Sequence, residues 1–195
     1  MTDFKSILSD MQLHGMKVQD DKVHISVPNA LEVTKQAIAF FIGNEGKQAV
    51  WIKEYDEIVE WLSDNKGLGL FLHGKCGLGK TIMGRYVIPA ILLSECRKVV
   101  SCFDVLEMNE HIDFVLSKKI ISIDDVGTEE LSIKYGERRL AFAELMDAVE
   151  KQGKLVIVTT NLPMDELTLK YGVRIIDRIM ATTKRIAFNG KSFRR

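Results

Sequence analysis

A glycine-rich segment within "GLFLHGKCGLGKTI", residues 69–82, constrains this chain more than any other feature. An apolar run leads into three closely spaced glycines, and a helical pattern follows. Glycines let the backbone turn tightly and direct its N–H groups at phosphate oxygens, and the following helix adds the positive end of its dipole. The segment predicts a phosphate-binding loop for ATP, with contacts from Gly74, Lys75, Cys76, Gly77, Leu78, Gly79, Lys80, Thr81 and Ile82.

Two side chains of this loop have individual predicted roles. The Lys80 ammonium is expected to reach the β- and γ-phosphates, and the Thr81 hydroxyl is expected to ligate Mg²⁺. A merely structural turn is the alternative, and the strand before the loop and the helix after it argue against that interpretation.

Strand and helix patterns alternate from Gly69 onward. Strands are predicted at 69–73, 98–102, 119–124, 154–159 and 184–188, and helices at 79–93, 103–117, 137–152, 163–171 and 172–181. Continuously apolar strands such as "KIISI" and "LVIVTT" are typical of a parallel sheet covered by helices on both faces. The predicted fold class is therefore α/β, and ligands are expected at the carboxyl ends of the strands.

The strand in "KIISIDDVGTEE" ends in two acids. A carboxylate at such a strand tip can hold the Mg²⁺ shell, and a second can orient the attacking water. We assign Asp124 to magnesium and Asp125 to the water, with Glu129 as a rival for the second role. Many such ATPases carry Glu where Asp125 stands, and Asp is one methylene shorter, so slow hydrolysis is expected. Two acids that only cap an exposed strand end are the alternative.

A third strand ends in Thr159-Thr160-Asn161, and Pro163 follows at a predicted helix start. An amide beside the γ-phosphate can position the water, so Asn161 is a candidate catalytic residue. An Asn that only caps a helix or forms a turn is the alternative.

Composition limits the partners and the compartment. The 27 basic and 27 acidic residues give a net charge of zero, so any binding to nucleic acid must come from a local patch. The three cysteines have no metal-like spacing and predict reduced thiols. The sequence shows neither a membrane-spanning run nor a signal peptide, so we expect a cytoplasmic protein without a membrane partner.

The first fifty residues are predicted to be an extension of the nucleotide domain, with boundaries 1–50 and 51–195. Helices are expected at 2–14, from about 29 to 42 and at 53–64, and an extended arm or strand at 22–27. The extension is a candidate for partner binding. For the 2–14 helix itself, packing on the domain's own core is favoured over a partner-binding face.

Five motifs resemble those of the AAA+ ATPases of the DnaC/DnaI helicase-loader group and of the related transposition helper IstB: "HGKCGLGKT", "IDDVGTEE", "VTTNLPMDEL", "KYGVRIIDRI" and "GKSFRR". The resemblance runs from about Trp51 to Arg194. It implies a P-loop AAA+ core with a five-stranded parallel sheet and no C-terminal helical lid. It also assigns Asn161 to sensor 1, Arg178 or else Arg174 to the arginine finger, and Arg194 to sensor 2.

The resemblance further implies an ATP-dependent homo-oligomer that delivers a hexameric replicative helicase onto single-stranded DNA in DNA replication. A transposition or phage-replication helper is a close alternative, and a nucleotide-switched adaptor with little hydrolysis is another. A small-molecule kinase would need a substrate lid, for which there is no room after residue 190. The arginines could instead form a solvated face paired with acids such as Asp177.

Overall fold

A five-stranded parallel sheet lies at the centre of the computed structural model, which describes residues 3–16, 21–43, 46, 49–128, 133–134, 137–138 and 140–190. In chain order the strands are β1 (Gly69–Gly74), β2 (Ser101–Asp104), β3 (Ile120–Asp124), the short antiparallel pair β4 (Ile133–Lys134) and β5 (Glu137–Arg138), β6 (Leu155–Thr159) and β7 (Thr183–Phe188). The spatial order of the sheet is β2-β3-β6-β1-β7. The predicted α/β class with this sheet is confirmed.

Helices cover both faces of the sheet. They are α1 (Phe4–Leu13), α2 (Ala30–Gly43), α3 (Lys53–Ser63), α4 (Lys80–Ile82), a π turn (Met83–Val87), α5 (Ile88–Cys96), α6 (Val105–Glu110), α7 (Ile112–Leu116), α8 (Ala141–Gln152), α9 (Met164–Tyr171) and α10 (Val173–Thr182). Successive strand residues point to opposite faces. Leu70 and Leu72 therefore join one buried cluster with α2, α3 and α5, whereas Phe71 joins a second cluster with α6 to α10.

Three predicted elements have other boundaries in the structure, and a fourth, the helix predicted at 79–93, is interrupted and ends at Cys96. The helix predicted at 103–117 is two helices separated at His111, and Asp104 and Glu107 close a capping box at the start of the first. The strand predicted at 98–102 instead runs from Ser101 to Asp104, the four residues that pair with β3. The helix predicted at 137–152 begins at Ala141, because the backbone of β5 pairs with β4.

A π turn interrupts the helix that follows the phosphate loop. The N–H of Ile88 donates to the carbonyl of Met83, five residues back, and Pro89 has no N–H to offer. The Gly84 carbonyl is satisfied instead by the Ser122 hydroxyl of β3, at 2.8 Å. This bond joins the helix of the phosphate loop to the strand that carries the two acids.

The predicted extended arm is part of the core. Asn65 holds it, because its side-chain oxygen accepts from the N–H of Ile25 at 2.8 Å and its amide donates to the carbonyl of Val23 at 3.0 Å. Ile25 and Val27 are buried in the same cluster as α3 and β1. Residues 21–43 therefore belong physically to the nucleotide domain.

Helix α1 behaves differently from the rest of the chain. Asp3 caps its start, yet the helix buries none of its residues, and Phe4 is 71% and Leu13 84% exposed. In the described part of the chain, its apolar face packs on no core. Among those same residues, none of the helices combines the length and the apolar character that crossing a membrane requires.

Candidate nucleotide site

The predicted phosphate loop lies between β1 and α4, at the carboxyl end of β1. Two of its glycines are sterically required: a Cβ on Gly74 would lie 2.3 Å from the carbonyl oxygen of Phe188, and one on Gly79 would lie 2.8 Å from the Tyr55 hydroxyl. Both have positive φ angles, 119° and 85°. Between them the loop exposes Lys75 and Cys76 and buries Leu78, while Gly77 is half-buried and also has a positive φ.

Lys80 is 4% exposed and lies inside the loop. Its ammonium donates to the carbonyls of Gly74 and Lys75, at 2.9 and 2.7 Å, and to the side-chain oxygen of Asn161, at 2.8 Å. Thr81 and Ile82 follow, half-buried, in the first turn of the helix. The loop lysine thus contacts the residue predicted as sensor 1 directly.

The two acids stand at the end of β3, and Thr159 holds both. The Thr159 hydroxyl donates to the Asp124 carboxylate and accepts from the N–H of Asp125 at 3.0 Å. Asp124 is 6% exposed, whereas Asp125 is half-buried with a left-handed φ of 59°. Few residues other than glycine adopt that conformation, Asp and Asn most readily among them.

Asn161 bridges the loop lysine and the second acid. Its side-chain oxygen accepts from Lys80, and its amide nitrogen donates to the Asp125 carboxylate at 2.7 Å. These bonds span 81 and 36 positions of the sequence. Lys80, Asn161 and Asp125 therefore form one continuous polar network across the carboxyl ends of β1, β6 and β3.

The electrostatics of this edge include a half-buried histidine. Burial lowers the pKa of His73, and the charges of Arg185 and Lys80 lower it further. The imidazole is therefore neutral at pH 7. On β2, burial raises the pKa of the Cys102 thiol, while the Arg85 charge opposes that shift and the Asp124 charge adds to it. Positive charge at this edge thus comes from the loop lysine rather than from His73.

The donor set fits a magnesium nucleotide. Mg²⁺ prefers oxygen ligands, often one or two protein oxygens together with phosphate oxygens and water. The Thr81 hydroxyl, in the first turn after the loop, and the Asp124 carboxylate, aimed by Thr159, are of this type. These two residues could hold the ion, and the loop could hold the phosphates.

The two arginines of α10 differ sharply in environment. Arg178 is 9% exposed, and its guanidinium pairs with Asp147 and, at 2.8 Å, with Glu150, both on α8. Arg174, one turn earlier, is exposed. Lys151, bonded to Asp147, together with the charges of Arg178 and Arg174, holds the pKa of Asp147 below its usual value. The acids that pair with Arg178 are thus on another helix and do not include the expected Asp177.

Glu129 and Arg194 lie outside the described residues, so their predicted roles stay predictions. The sequence pattern predicted no role for Thr159, although Thr159 ends the same strand, two positions before Asn161. It also missed Lys170 of α9, whose ammonium donates to the carbonyl of Gly127 at 2.7 Å, next to the acids. No sequence motif links Lys170 to Gly127, because the two residues are 43 positions apart.

Comparisons with solved structures agree with this architecture. A crystal structure of DnaI superposes with a TM-score of 0.55 at 19% identity, covering 85% of this chain and 96% of that one. The DnaC helicase loader gives 0.52 at 17% identity, covering 84% and 93%. AMPPCP-bound DnaA from Aquifex aeolicus gives 0.51 at 16% identity, covering 74% and 50%. The resemblance predicted from the motifs is confirmed at the level of the AAA+ fold.

Comparisons of the amino-acid sequence give a family match but no match to a curated protein. No curated protein sequence matches the chain. The profile of one family, nSTAND3 or Novel STAND NTPase 3, matches residues 49–164, which include the phosphate loop, the paired acids and Asn161. Because that match covers more than half of the chain, the protein belongs to the nSTAND3 family of NTPases.

Proposed function

We propose that this protein is a magnesium-dependent ATPase. The observation that carries the proposal is the network of Lys80, Asn161 and Asp125, which joins the phosphate loop to the acid suited to water activation. Lys80 would bind the β- and γ-phosphates. Thr81 and Asp124 would hold Mg²⁺, which would neutralise charge on the phosphate oxygens.

Asp125 and Asn161 would position the attacking water. The Asn161 amide already fixes the Asp125 carboxylate, so the two side chains would present one oriented acceptor. The shorter reach of Asp relative to Glu supports slow hydrolysis. We propose that assembly or DNA stimulates this hydrolysis. An adaptor that binds ATP and barely hydrolyses it is the second candidate, and the same short acid favours it.

We also propose that Arg174 acts across a subunit interface in an ATP-dependent homo-oligomer, with Arg178 as its anchor. The supporting contrast is that Arg178 is committed to two acids of its own chain, whereas Arg174 is exposed on the same helix. An arginine supplied to a neighbouring site stabilises charge developing on the γ-phosphoryl group, an effect of about 10³–10⁵ in rate.

A mixing experiment tests both statements. Lys80→Ala has an empty site with an intact arginine, and Arg174→Ala has the opposite defect. Each variant should be inactive alone, and their mixture should recover ATPase activity that rises with protein concentration. Arg178→Ala is the matched control: it keeps Lys80 and Arg174, so it should lower the melting temperature and retain part of its own ATPase activity. An inactive mixture in which light scattering detects mixed oligomers would reject an arginine acting across the interface. An Arg178→Ala variant that is inactive alone, together with an Arg174→Ala variant that is active alone, would transfer the role to Arg178.

The proposed biological role is that of a helicase loader in DNA replication. Its support is the shared fold with DnaI and with a structure described as the DnaC helicase loader. The partners would be a hexameric replicative helicase and single-stranded DNA, and the exposed helix α1 is the candidate contact for the helicase. Affinity capture from the source cell with ATP tests this role. Recovery of a transposase in place of a helicase would favour the IstB-like alternative.

A further inference from the structure

The turn that carries the second acid, Asp125–Thr128, is held from two sides. On one side, β6 holds it: the N–H of Val126 donates to the carbonyl of Thr159 at 2.9 Å, and the Thr160 hydroxyl donates to the carbonyl of Val126 at 2.6 Å. On the other side, the Lys170 ammonium donates to the carbonyl of Gly127 at 2.7 Å. The second support comes from a different helix, α9.

The turn depends on these outside supports. Asp125 and Gly127 both have left-handed φ angles, 59° and 104°, which an isolated chain adopts rarely at a non-glycine position. Within the turn, only the amide and the hydroxyl of Thr128 close on the carbonyl of Asp125, at 3.3 and 2.9 Å, among the bonds described there. The Asp125 carboxylate also accepts from the Asn161 amide, so its position depends both on that bond and on the turn being held in place.

Lys170 stands directly before the arginine helix. Helix α9 ends at Tyr171, Gly172 turns the chain with a φ of 83°, and α10 follows. Arg178 anchors α10 to α8, whereas Arg174 is exposed on the turn of α10 next to Gly172. A shift of the Asp125–Thr128 turn is thus transmitted through one ammonium group to the start of the helix that presents Arg174.

We propose that Lys170 is a positioning residue, which fixes the Asp125–Thr128 turn and couples it to Arg174 on α10. The proposal rests on the ATPase function given above. Through this coupling, nucleotide binding in a subunit's own site changes the position of the Arg174 that the same subunit supplies to its neighbour. In this role Lys170 acts through the Gly127 carbonyl.

Three variants test the role of the ammonium group. Lys170→Met removes it at similar length and helix propensity, Lys170→Ala removes it without adding apolar length, and Lys170→Arg retains a donor. The matched control is Lys154→Met, because the half-buried Lys154 also donates to a backbone carbonyl, that of Lys118 at 2.9 Å, but at the amino end of the sheet. All are compared with wild type as the full chain.

The first readout is hydrogen exchange without nucleotide, which is independent of catalysis. The amides of Val126 and Thr128 should exchange about tenfold faster in Lys170→Met and Lys170→Ala, and close to the wild-type rate in Lys170→Arg and Lys154→Met. The second readout is kinetic. In the Met and Ala variants kcat should fall by about tenfold while KM stays within about twofold, and Lys170→Arg should restore it.

The coupling has its own readout. Addition of ATP should slow amide exchange at Ile175 and Ile176, whose N–H groups donate to the Gly172 carbonyl, in wild type but not in Lys170→Met. Unchanged exchange at the turn in both the Met and Ala variants, or equal effects in Lys154→Met, would overturn the positioning role. An ATP response at α10 that persists without the ammonium would overturn the coupling. If wild type shows no hydrolysis, the ATPase proposal fails, and exchange at the turn still decides the role of Lys170.

Discussion

The carboxyl edge of the sheet and helix α1 depart from ordinary burial in opposite directions. At the edge, polar groups are buried: Lys80 is 4% and Asp124 6% exposed, and both bond to neighbouring residues of the site. On α1, apolar groups are exposed, with Phe4 at 71% and Leu8 at 46%. Buried polar networks are retained where they hold a small ligand or organise chemistry, whereas an exposed apolar helix face suits a macromolecular partner. The contrast teaches that the nucleotide and the partner are to be sought at different parts of the chain.

Truncation should give the largest effect and sharpen the boundary between the two regions. A chain that starts at Ala49 loses Ile25, Val27 and Ile38 from the core, and each buried Ile or Val contributes about 1.5–3 kcal/mol. Because a whole domain is stable by only about 5–15 kcal/mol, this chain should not fold. A chain that starts at Asp21 should melt within about 2 °C of wild type by circular dichroism, since α1 buries nothing. Equal melting temperatures for the two truncations would show that Ile25, Val27 and Ile38 do not stabilise the domain.

Loss of the loop lysine should affect the edge alone. Lys80→Ala removes a cation that would make at least two charge-assisted bonds to phosphates, each contributing about 1.5–3 kcal/mol. Binding of ATP, measured by isothermal titration calorimetry, should weaken by about a hundredfold or more. The variant should keep wild-type affinity in any α1-dependent capture of a partner that does not require nucleotide. Wild-type affinity for ATP would show that the loop assignment is wrong.

A change on α1 should have the converse outcome. Substituting Phe4→Ser and Leu8→Ser together removes exposed apolar surface, so the melting temperature and ATP affinity should stay as in wild type. Capture of the proposed helicase partner should weaken by at least about tenfold if both side chains are anchors. Lys5→Ser, on the same helix, is the control for a polar change. A lower melting temperature in the double variant would mean that α1 packs on the domain after all.

The smallest expected effect is a pH dependence that belongs to the edge. His73 has a folded-state pKa below its ordinary 6.5, so the unfolded chain takes up the proton first as the pH falls. Stability should therefore decrease as the pH is lowered through 6.5, until the folded-state pKa is passed. Chemical denaturation at pH 7.5 and 5.5 should show a smaller difference in His73→Gln than in wild type. His14→Gln, on α1, is the matched control, and identical differences in wild type and His73→Gln would contradict the burial argument.

Local chemistry made most of the fold predictable. Continuous apolar strands, a glycine-rich loop and acids at a strand end are signals carried by neighbouring residues, and they located five strands and the edge where the site lies. The π turn was not predictable in this way. It depends on Pro89 and on the Ser122 hydroxyl of another strand, which satisfies the Gly84 carbonyl 38 positions away. The sequence pattern alone predicts an uninterrupted helix there.

Side-chain partners were the least predictable part of the candidate site. Arg174 and Arg178 lie four positions apart on one helical face, and the family resemblance made Arg178 the first choice for the finger. Their different environments arise from α8, since Glu150 stands 28 positions before Arg178. The Lys170 contact with Gly127 likewise spans 43 positions. Such choices are made by tertiary packing, so only coordinates separate an anchored arginine from an exposed one.

The order of the strands also determines when the nucleotide site can form. β1 lies between β6 and β7, so Leu70 pairs with Ile157 on one side and with Lys184 on the other. During synthesis, β1 and its phosphate loop emerge long before either neighbour, and parallel pairing across such distances folds slowly. Until then both edges of an apolar strand are unpaired, which exposes the nascent chain to aggregation. The site is completed only after β6 and Asn161 have been made, so ATP cannot assist the earlier steps of folding.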